Sequence, residues 1–575
     1  MNLFKRKHKK EKIYTNPWEK YYEEGKETID IPDISIYEYL ERKYINYEYS
    51  VAINYFNQKM SYRELINKID LCAKALVSYG VRENDVVSIC LPNVPEAVIA
   101  FYAINKIGAI ANMIHPLSAE LEIKDSLLKT NTVLLITLNI TFNKVESIID
   151  DTKIYKTVIV SPKDSMPTFL GLGYMLSKEL SLNIPKSNEK YMLWNDFILK
   201  GEKYNKNIKK DRKAKEDAVI LHSGGTTGTP KNIVLTNGNI NAIMEEAKIC
   251  FPTLDTKDTF LSILPLFHCL GLVVNVLAPL TFGSTIALIP QFDPKRFDKL
   301  IKKYKPTVLL GVPTLFEALI KNPYMINYDM SHVSTVVSGG DSLTIDKNEE
   351  INNYLKEHNC SARIMQGYGM TETTGPASIG FNNSDKLGSI GIPLPSTEIK
   401  ILNIETMEEM KYGEIGEICI TGPTVMSRYL DNKKETDDII KVHEDGKRWV
   451  HTGDLGYMDE DGVLFYVQRL KRMLIVSGYN VYPAHIEEVL LEHPKIKDCG
   501  VIGVPHPYKV QVPKAYIVLK KGVEYDRGVI KELKEYCEKR LAKYMIPKDF
   551  VVRDELPKTL VGKVNYKELE KENNK

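Results

Sequence analysis

Clustered cysteine is absent from this sequence. Eight cysteines (Cys72, Cys90, Cys250, Cys269, Cys360, Cys419, Cys499 and Cys537) are scattered over 575 residues, and no two form a CxxC pair. A zinc knuckle and a disulfide framework both need paired spacings, so the thiols are expected to be buried and free in a reducing compartment. An excess of one charge is absent too: 77 Lys+Arg face 75 Asp+Glu, a formal net charge of +2. No global field favours a nucleic-acid partner. Uninterrupted apolar runs are scarce. The charge-free stretch Thr259 to Phe292 has the length to span a bilayer, but Pro265, Gly271, Pro279 and Gly283 break it. Short buried strands and helices are expected there. The basic cluster Lys5 to Lys10 has no apolar core behind it, as a secretory signal would. It reads as a solvated tail, with weak contact to an anionic membrane as the alternative, and a cytoplasmic location is expected.

What is present is an alternating rhythm. A chain of this length suggests roughly four lobes at about 150 residues each. "DVVSICLPN", "TVLLITLN", "KTVIVSP", "DAVILHS", "TIALIP", "TVLLGVP" and "STVVSGG" read as buried strands, and "PEAVIAFYAINKIGAIANMI" as a helix running into a strand. This pattern predicts an α/β fold, whose ligands bind beyond the strand ends. From Gly413 the runs shorten to β-type segments, "GEIGEICITG" and "VLFYV". After Arg469 comes a smaller βα unit, with Ile530, Leu533, Cys537 and Leu541 on one helix face. The polar stretch Gln468 to Met473 is the candidate boundary. Ser165 to Leu180, "SMPTFLGLGYMLSKEL", is apolar on one side and is expected to be a surface helix packed on the core, with a lipid-facing excursion as the alternative.

The densest chemistry lies in "LHSGGTTGTPK", Leu221 to Lys231. Gly224, Gly225 and Gly228 let successive backbone N–H groups form a concave nest for an anion. Ser223, Thr226, Thr227 and Thr229 add donors, and Lys231 adds a positive charge. The tail of a nucleoside triphosphate suits such a loop. It is not the P-loop pattern, which needs Gly before the Lys and Ser or Thr after it; here Pro230 precedes and Asn232 follows. Apolar, β-branched flanks predict that the loop joins two strands. Further on, "QGYGMTETTG" (Gln366 to Gly375) offers Tyr368 for stacking on a base, Thr371 for a phosphate and Glu372 as an oxygen ligand for Mg2+. "HTGDLGYMDEDG" from His451 carries Asp454 between glycines, and "VQRLKRMLIVSGYNVYP" and "LPKTLVGKVNY" follow. Taken singly, Glu372 reads equally as a capping residue, Asp454 as an Asx-turn and Lys563 as a solvated lysine.

Together and in this order, these segments resemble the adenylate-forming superfamily of acyl-CoA synthetases, adenylation domains and luciferases. The resemblance runs from "MSYRELINKIDLCAKALVSYG" to "LVGKV", and "SGYNVYPAHIEEVL" is most similar to fatty-acid-type CoA ligases. It implies a large N-terminal domain of α/β subdomains plus a β-rich subdomain, and a small, mobile α+β C-terminal domain. The corresponding boundaries are a tail at 1–30, an AMP-binding domain at 31–468, a hinge at 469–473 and a C-terminal domain at 474–575. It implies a ligase forming carbon–sulfur bonds from a carboxylic acid, ATP, Mg2+ and coenzyme A. Ser223, Gly224, Gly225, Thr226, Thr227, Gly228 and Lys231 match the pyrophosphate loop. Gly367, Tyr368 and Gly369 match the adenine contact, Thr371 the α-phosphate contact and Glu372 the magnesium ligand. Asp454 and Arg469 match the pair that holds the ribose, Lys471 the hinge, and Lys563 the catalytic lysine. His268, Gly339, Gly340 and Gly478 match positions around the acyl group and the thiol. His268 stands where amino-acid-activating relatives carry Asp, which argues against an amino acid substrate; a medium- or long-chain fatty acid is expected. An aryl acid, a carrier protein as acceptor and a non-catalytic nucleotide-binding scaffold are the alternatives. Three positions depart from the pattern: Gln468 for a usual Asp, Arg428 for a usual Gly, and Asp341 for a small or apolar residue.

Overall fold

The computed structural model of the protein describes residues 16–223, 231–476, 479–506, 510–558 and 564–573. Its contacts divide the chain into two compact units. One holds the residues up to Ile399 together with Ile420–Val450 and Asp461–Val463; the other holds Lys400–Cys419, His451–Glu460 and the residues from Leu464 onward.

The first unit contains two large sheets. One has eight strands, of which Asp217–Ser223, Ile110–Met113, Val86–Cys90, Leu134–Leu138, Lys156–Val160 and Tyr191–Leu193 run parallel in that spatial order. Lys231–Thr236 and Arg428–Tyr429 extend it antiparallel on the Asp217–Ser223 side. The other has nine strands around a parallel centre that includes Thr259–Ser262, Val308–Gly311, Thr335–Ser338 and Ile364–Met370. Leu134–Leu138 and Thr335–Ser338 are buried at every position. That is why they read in sequence as continuous apolar runs: parallel strands are covered on both faces. The helix Pro95–Lys106 is buried along its whole length, Glu96 included. The Glu96 carboxylate accepts from Ser165 Oγ, and burial pushes its pKa up to about 7.

The charge-free stretch folds as expected, into the strand Thr259–Ser262, a π-helix at Leu270–Leu277, the short helix Ala278–Phe282 and the strand Thr285–Leu288. Among the described residues no helix is long and apolar enough to cross a membrane. All eight cysteines are free and buried. One expectation is corrected. Ser165 to Leu180 does form a helix, Thr168–Ser177, but it buries only Gly171. Phe169, Leu170, Leu172 and Leu176 point outward, and Gly171 with the half-buried Tyr174 and Met175 makes the inner side: a Cβ on Gly171 would lie 3.5 Å from Lys163, and Tyr174 Oη donates to Asn139 Oδ1 at 3.1 Å.

The second unit is built on a sheet in the order Tyr479–Val481, Leu474–Val476, Val510–Leu519, Ile496–His506, with Asp549–Arg553 parallel to Val510–Leu519. The helices Pro483–Leu491 and Arg527–Glu538 bury Ile486, Leu490, Leu533 and Cys537 in one cluster with Val501 and Ile517. This unit also holds the hairpin in which Asp454 pairs in register with Arg469.

Candidate active site

In the first unit the candidate residues gather where parallel strands end, the usual place for ligands in such sheets. Asp217–Ser223 and Lys231–Thr236 form an antiparallel hairpin with Ser223 opposite Lys231. The Gly/Thr loop therefore joins two strands, as its flanks predicted. Gly224, Gly225, Thr226, Thr227, Gly228 and Thr229 themselves lie outside the described residues. Immediately before the loop, His222 Nε2 lies 2.7 Å from Asn112 Oδ1 and its Nδ1 2.9 Å from Asn232 Oδ1, and a ring with one N–H donates to one of the two. Burial pulls its pKa down to about 4, so the ring stays neutral at the base of the loop.

Ile364–Met370 ends in a tight hairpin with Gly375–Ile379, where Gly367 faces Ile379 and Tyr368 faces Ser378. Gly369 is demanded by close approach: a Cβ there would meet the Gly375 carbonyl oxygen at 1.9 Å. Thr371 and Glu372 follow in a 3-10 turn. The turn is capped by Thr373, whose Oγ1 accepts from the Met370 amide at 3.1 Å, so Glu372 is not spent on capping. Its buried carboxylate instead accepts from Tyr429 Oη at 2.7 Å. Lys231 Nζ lies 4.5 Å from the centre of the Tyr429 ring and 3.2 Å from Glu435 Oε2. Burial, reinforced by Glu372, raises the Tyr429 pKa, which keeps the phenol a neutral donor. The fold thus brings Lys231 and Glu372 together through Tyr429, a residue that no motif singled out. A carboxylate fixed by one hydrogen bond suits a hard divalent cation that takes one or two protein carboxylates and fills its shell with water and phosphate oxygens.

His268 stands just ahead of the π-helix. Its ring is tilted against Phe267, with centroids 4.8 Å apart, and the other neighbour of Phe267 is His115, stacked on it at 4.1 Å. Burial, with His115 and His222 adding to it, pulls the His268 pKa down to about 4. Gly339 and Gly340 follow the strand Thr335–Ser338, and Gly340 has a φ of +76° that a side chain would strain. A Cβ on Gly339 would lie 3.4 Å from the Gly367 carbonyl oxygen and 4.0 Å from Leu270 Cδ2. One on Gly375 would lie 3.7 Å from Cys269 Sγ. The start of the π-helix, Gly339 and the hairpin of Ile364–Met370 with Gly375–Ile379 are therefore neighbours, and π-helical turns recur at functional sites.

In the second unit the Arg469 guanidinium pairs with Asp454, Nε to Oδ1 at 2.9 Å. Asp454 is buried while Arg469 is largely exposed. Thr452 supports both: its Oγ1 accepts from the Asp454 amide at 3.0 Å, and its carbonyl accepts from Arg469 Nη1 at 3.3 Å. An ion pair, not an isolated Asx-turn, thus occupies this position. Lys471 sits in the 3-10 turn Leu470–Arg472. Its neighbour Arg472 pairs with buried Glu487 at 2.6 Å and stacks 3.7 Å from the Tyr566 ring. Gly478 and Lys563 lie outside the described residues.

Two family models match this chain: AMP-binding enzyme over residues 40–430, and AMP-binding enzyme C-terminal domain over residues 485–563. The chain belongs to the AMP-binding enzyme family. The long-chain-fatty-acid–CoA ligase of Bacillus subtilis (strain 168) is 32% identical over 557 residues, 96% of this chain and 97% of that protein. The protein of the same name in Salmonella typhimurium (strain LT2) is 30% identical over 94% of each chain. Among solved structures, ATP-bound MatB from Rhodopseudomonas palustris superimposes with a TM-score of 0.80 at 24% identity, over 94% of this chain and 99% of that one, a likeness of fold. The o-succinylbenzoate CoA synthetase of Bacillus subtilis, solved with its acyl-adenylate intermediate, gives a TM-score of 0.74 at 26% identity over 94% and 99%. The fold is that of the adenylate-forming superfamily, as the order of motifs implied.

In this AMP-binding enzyme the three departures have local explanations. Arg428 forms a forked pair with Asp217, Nη1 to Oδ1 at 3.1 Å and Nη2 to Oδ2 at 2.6 Å, beside Tyr429 on the same short strand. Gln468 is buried, and its Oε1 accepts from the Ala484 amide at 3.2 Å, one of the otherwise open donors at the start of the Pro483–Leu491 helix. Asp341 is exposed and its Oδ1 accepts from the Ser342 amide at 3.0 Å; the helix that follows is capped by Thr344.

Proposed function

We propose that this adenylate-forming CoA ligase acts on medium- and long-chain fatty acids. In the first half-reaction a carboxylate oxygen attacks the α-phosphorus of ATP, the bond to pyrophosphate breaks, and an acyl-adenylate forms. In the second the thiol of coenzyme A attacks the acyl carbon, the carbon–oxygen bond to AMP breaks, and the thiol proton is lost. The arrangement that carries this reading is the cluster of Lys231, Tyr429 and Glu372 beside the Ser223–Lys231 loop. Attack of one anion on another is slowed by repulsion, so positioning and charge neutralisation supply most of the catalysis. Lys231 and the loop would hold the pyrophosphate portion, Thr371 the α-phosphate, Gly367, Tyr368 and Gly369 the adenine face, and Asp454 with Arg469 the ribose. When bound, Mg2+ draws charge off the phosphates, and Glu372, oriented by Tyr429, would hold it. Lys563 would stabilise charge developing at the reacting carboxylate. Rotation about Lys471 would exchange Lys563 for the segment around Gly478, which would then serve the thiol step.

Fatty acid as substrate is supported by the relatives' names at about one-third identity and by the apolar Leu270 and Val312 beside Gly339 and Gly340. The test is pyrophosphate release from ATP and Mg2+ over acids of rising chain length and benzoate-type acids, with and without coenzyme A. Sustained, acid-dependent turnover only with coenzyme A, and an optimum among longer alkyl acids, is the expected result. An optimum among aryl acids would overturn the substrate class. Release that stays stoichiometric with coenzyme A present would instead point to a carrier-protein acceptor.

A further inference from the structure

We propose that the helix Thr168–Ser177 is an interfacial anchor that seats the enzyme on a lipid bilayer. Helix residues exposed at a protein surface are normally polar, with the apolar stripe turned inward. Here the arrangement is inverted. No residue of "TFLGLGYMLS" is charged, and only Gly171 is buried. Phe169 is 84% exposed, Leu172 51% and Leu176 62%; they recur at three- and four-residue spacing and so share one face. Leu170 and, just past the helix, Leu180 extend the patch. The opposite face is fixed to the body by Gly171 and by the Tyr174–Asn139 hydrogen bond.

Two observations favour lipid as the occupant. First, the outward face offers almost no hydrogen-bonding group, whereas a protein interface carries about one hydrogen bond per 100–200 Å2. A fluid apolar phase is the better complement, and an amphipathic helix lying in the headgroup–acyl boundary needs only such a face. Second, the charges around the helix are sorted. Asp164 accepts from the Ser161 amide and from Asn195, and Glu179 pairs with Lys163, so both acids are turned to protein partners. Lys178, directly after the helix, is exposed, so the charge left at the edge of the apolar face is positive. Such a rim suits the phosphates of a headgroup layer. The inference also rests on the reading of the substrate as a long-chain fatty acid, because such acids partition into bilayers and the helix would bring the enzyme to its supply.

The test is cosedimentation of the full chain with large vesicles of phosphatidylcholine, alone or mixed with phosphatidylglycerol, without any substrate. Binding to both, stronger with the anionic lipid, is expected. A Phe169→Glu/Leu176→Glu variant should lose it by about tenfold or more, since each change withdraws a large apolar side chain from lipid. A Phe169→Trp variant, which keeps the surface apolar, should show indole fluorescence quenched by brominated acyl chains. Turnover on a short, water-soluble acid should be the same in wild type and in the double variant, so a wrong substrate class would show there and not in sedimentation. Absence of sedimentation with both vesicles would overturn the proposal. So would binding that survives the double variant together with unquenched fluorescence of the Phe169→Trp indole, which would move the contact to another surface. So would concentration-dependent dimerisation that the double variant abolishes while vesicles capture nothing, which would assign the face to a second copy of the chain.

Discussion

Removal of one hydroxyl, in Tyr429→Phe, tests whether Glu372 is held in place from a distance. The phenol donates to a buried carboxylate at 2.7 Å, and its ring lies under Lys231. Phe keeps the ring and the cation contact and removes only the donor. A hydrogen bond to a charged group contributes about 1.5–3 kcal/mol, and water screens this one little because both residues are buried. If Glu372 serves the ATP-bound metal, the same loss should appear as a rise of roughly 10- to 150-fold in the apparent KM for Mg·ATP in pyrophosphate exchange, at about 1.36 kcal/mol per factor of ten. The fold should lose about 1.5–3 kcal/mol in denaturant unfolding as well. A double-mutant cycle with Glu372→Gln isolates the pair, because the second change removes the charged acceptor. A coupling below about 0.5 kcal/mol would refute the argument, since that is the level at which independent sites add. An unchanged KM with intact coupling would leave the hydrogen bond real and remove its role in ATP binding.

Three further outcomes follow from the structure and the proposed roles. Lys563→Ala should abolish pyrophosphate exchange while sparing thioester formation from preformed acyl-adenylate; equal loss in both half-reactions would remove its special place in the first. Arg472→Ala should cost about 3–5 kcal/mol in denaturant unfolding, because it leaves the buried Glu487 carboxylate unpaired; a cost under about 1 kcal/mol would show that the pair is solvated. Glu96 gives a pH signature. Its folded pKa of about 7 lies above the ordinary 4.5, so the native state keeps a proton that the unfolded chain releases. Stability should therefore fall as pH rises from about 4.5 through about 7, by about 3 kcal/mol in all. Glu96→Gln should flatten that fall, and parallel stability curves for the two proteins would refute it.

Much of the fold was legible because parallel strands buried on both faces leave continuous apolar runs. Leu134–Leu138, Thr285–Leu288 and Thr335–Ser338 lie where those runs placed them. The hairpin around the Gly/Thr loop was legible for a related reason, since apolar β-branched flanks on both sides exclude a helix after the loop. The helix Thr168–Ser177 shows where such reasoning stops. Apolar spacing reports that a face exists, and burial is then assumed from the habit of globular proteins. Direction is set instead by Gly171 against Lys163 and by Tyr174 reaching Asn139, contacts that leave no periodic trace.

The candidate site divides along the same line. The residues proposed to meet ligands lie in short motifs, because a loop or a strand end presents neighbours in sequence as neighbours in space. Those that position them do not. Tyr429 is 57 residues from Glu372, and Arg428 is 211 from Asp217. Each pair meets only because Arg428–Tyr429 adds antiparallel to Lys231–Thr236, a register that no local pattern encodes. The departures make the point physically. In place of a flexible glycine, Arg428 ties its strand to Asp217 and so fixes the backbone that carries Tyr429. Gln468, in place of a carboxylate, supplies a neutral acceptor to the Ala484 amide, which answers an open helix donor without burying a charge next to Arg469. A substitution that looks like damage to a motif is thus absorbed when a distant partner supplies the matching charge or hydrogen bond, and only the folded chain shows which partner that is.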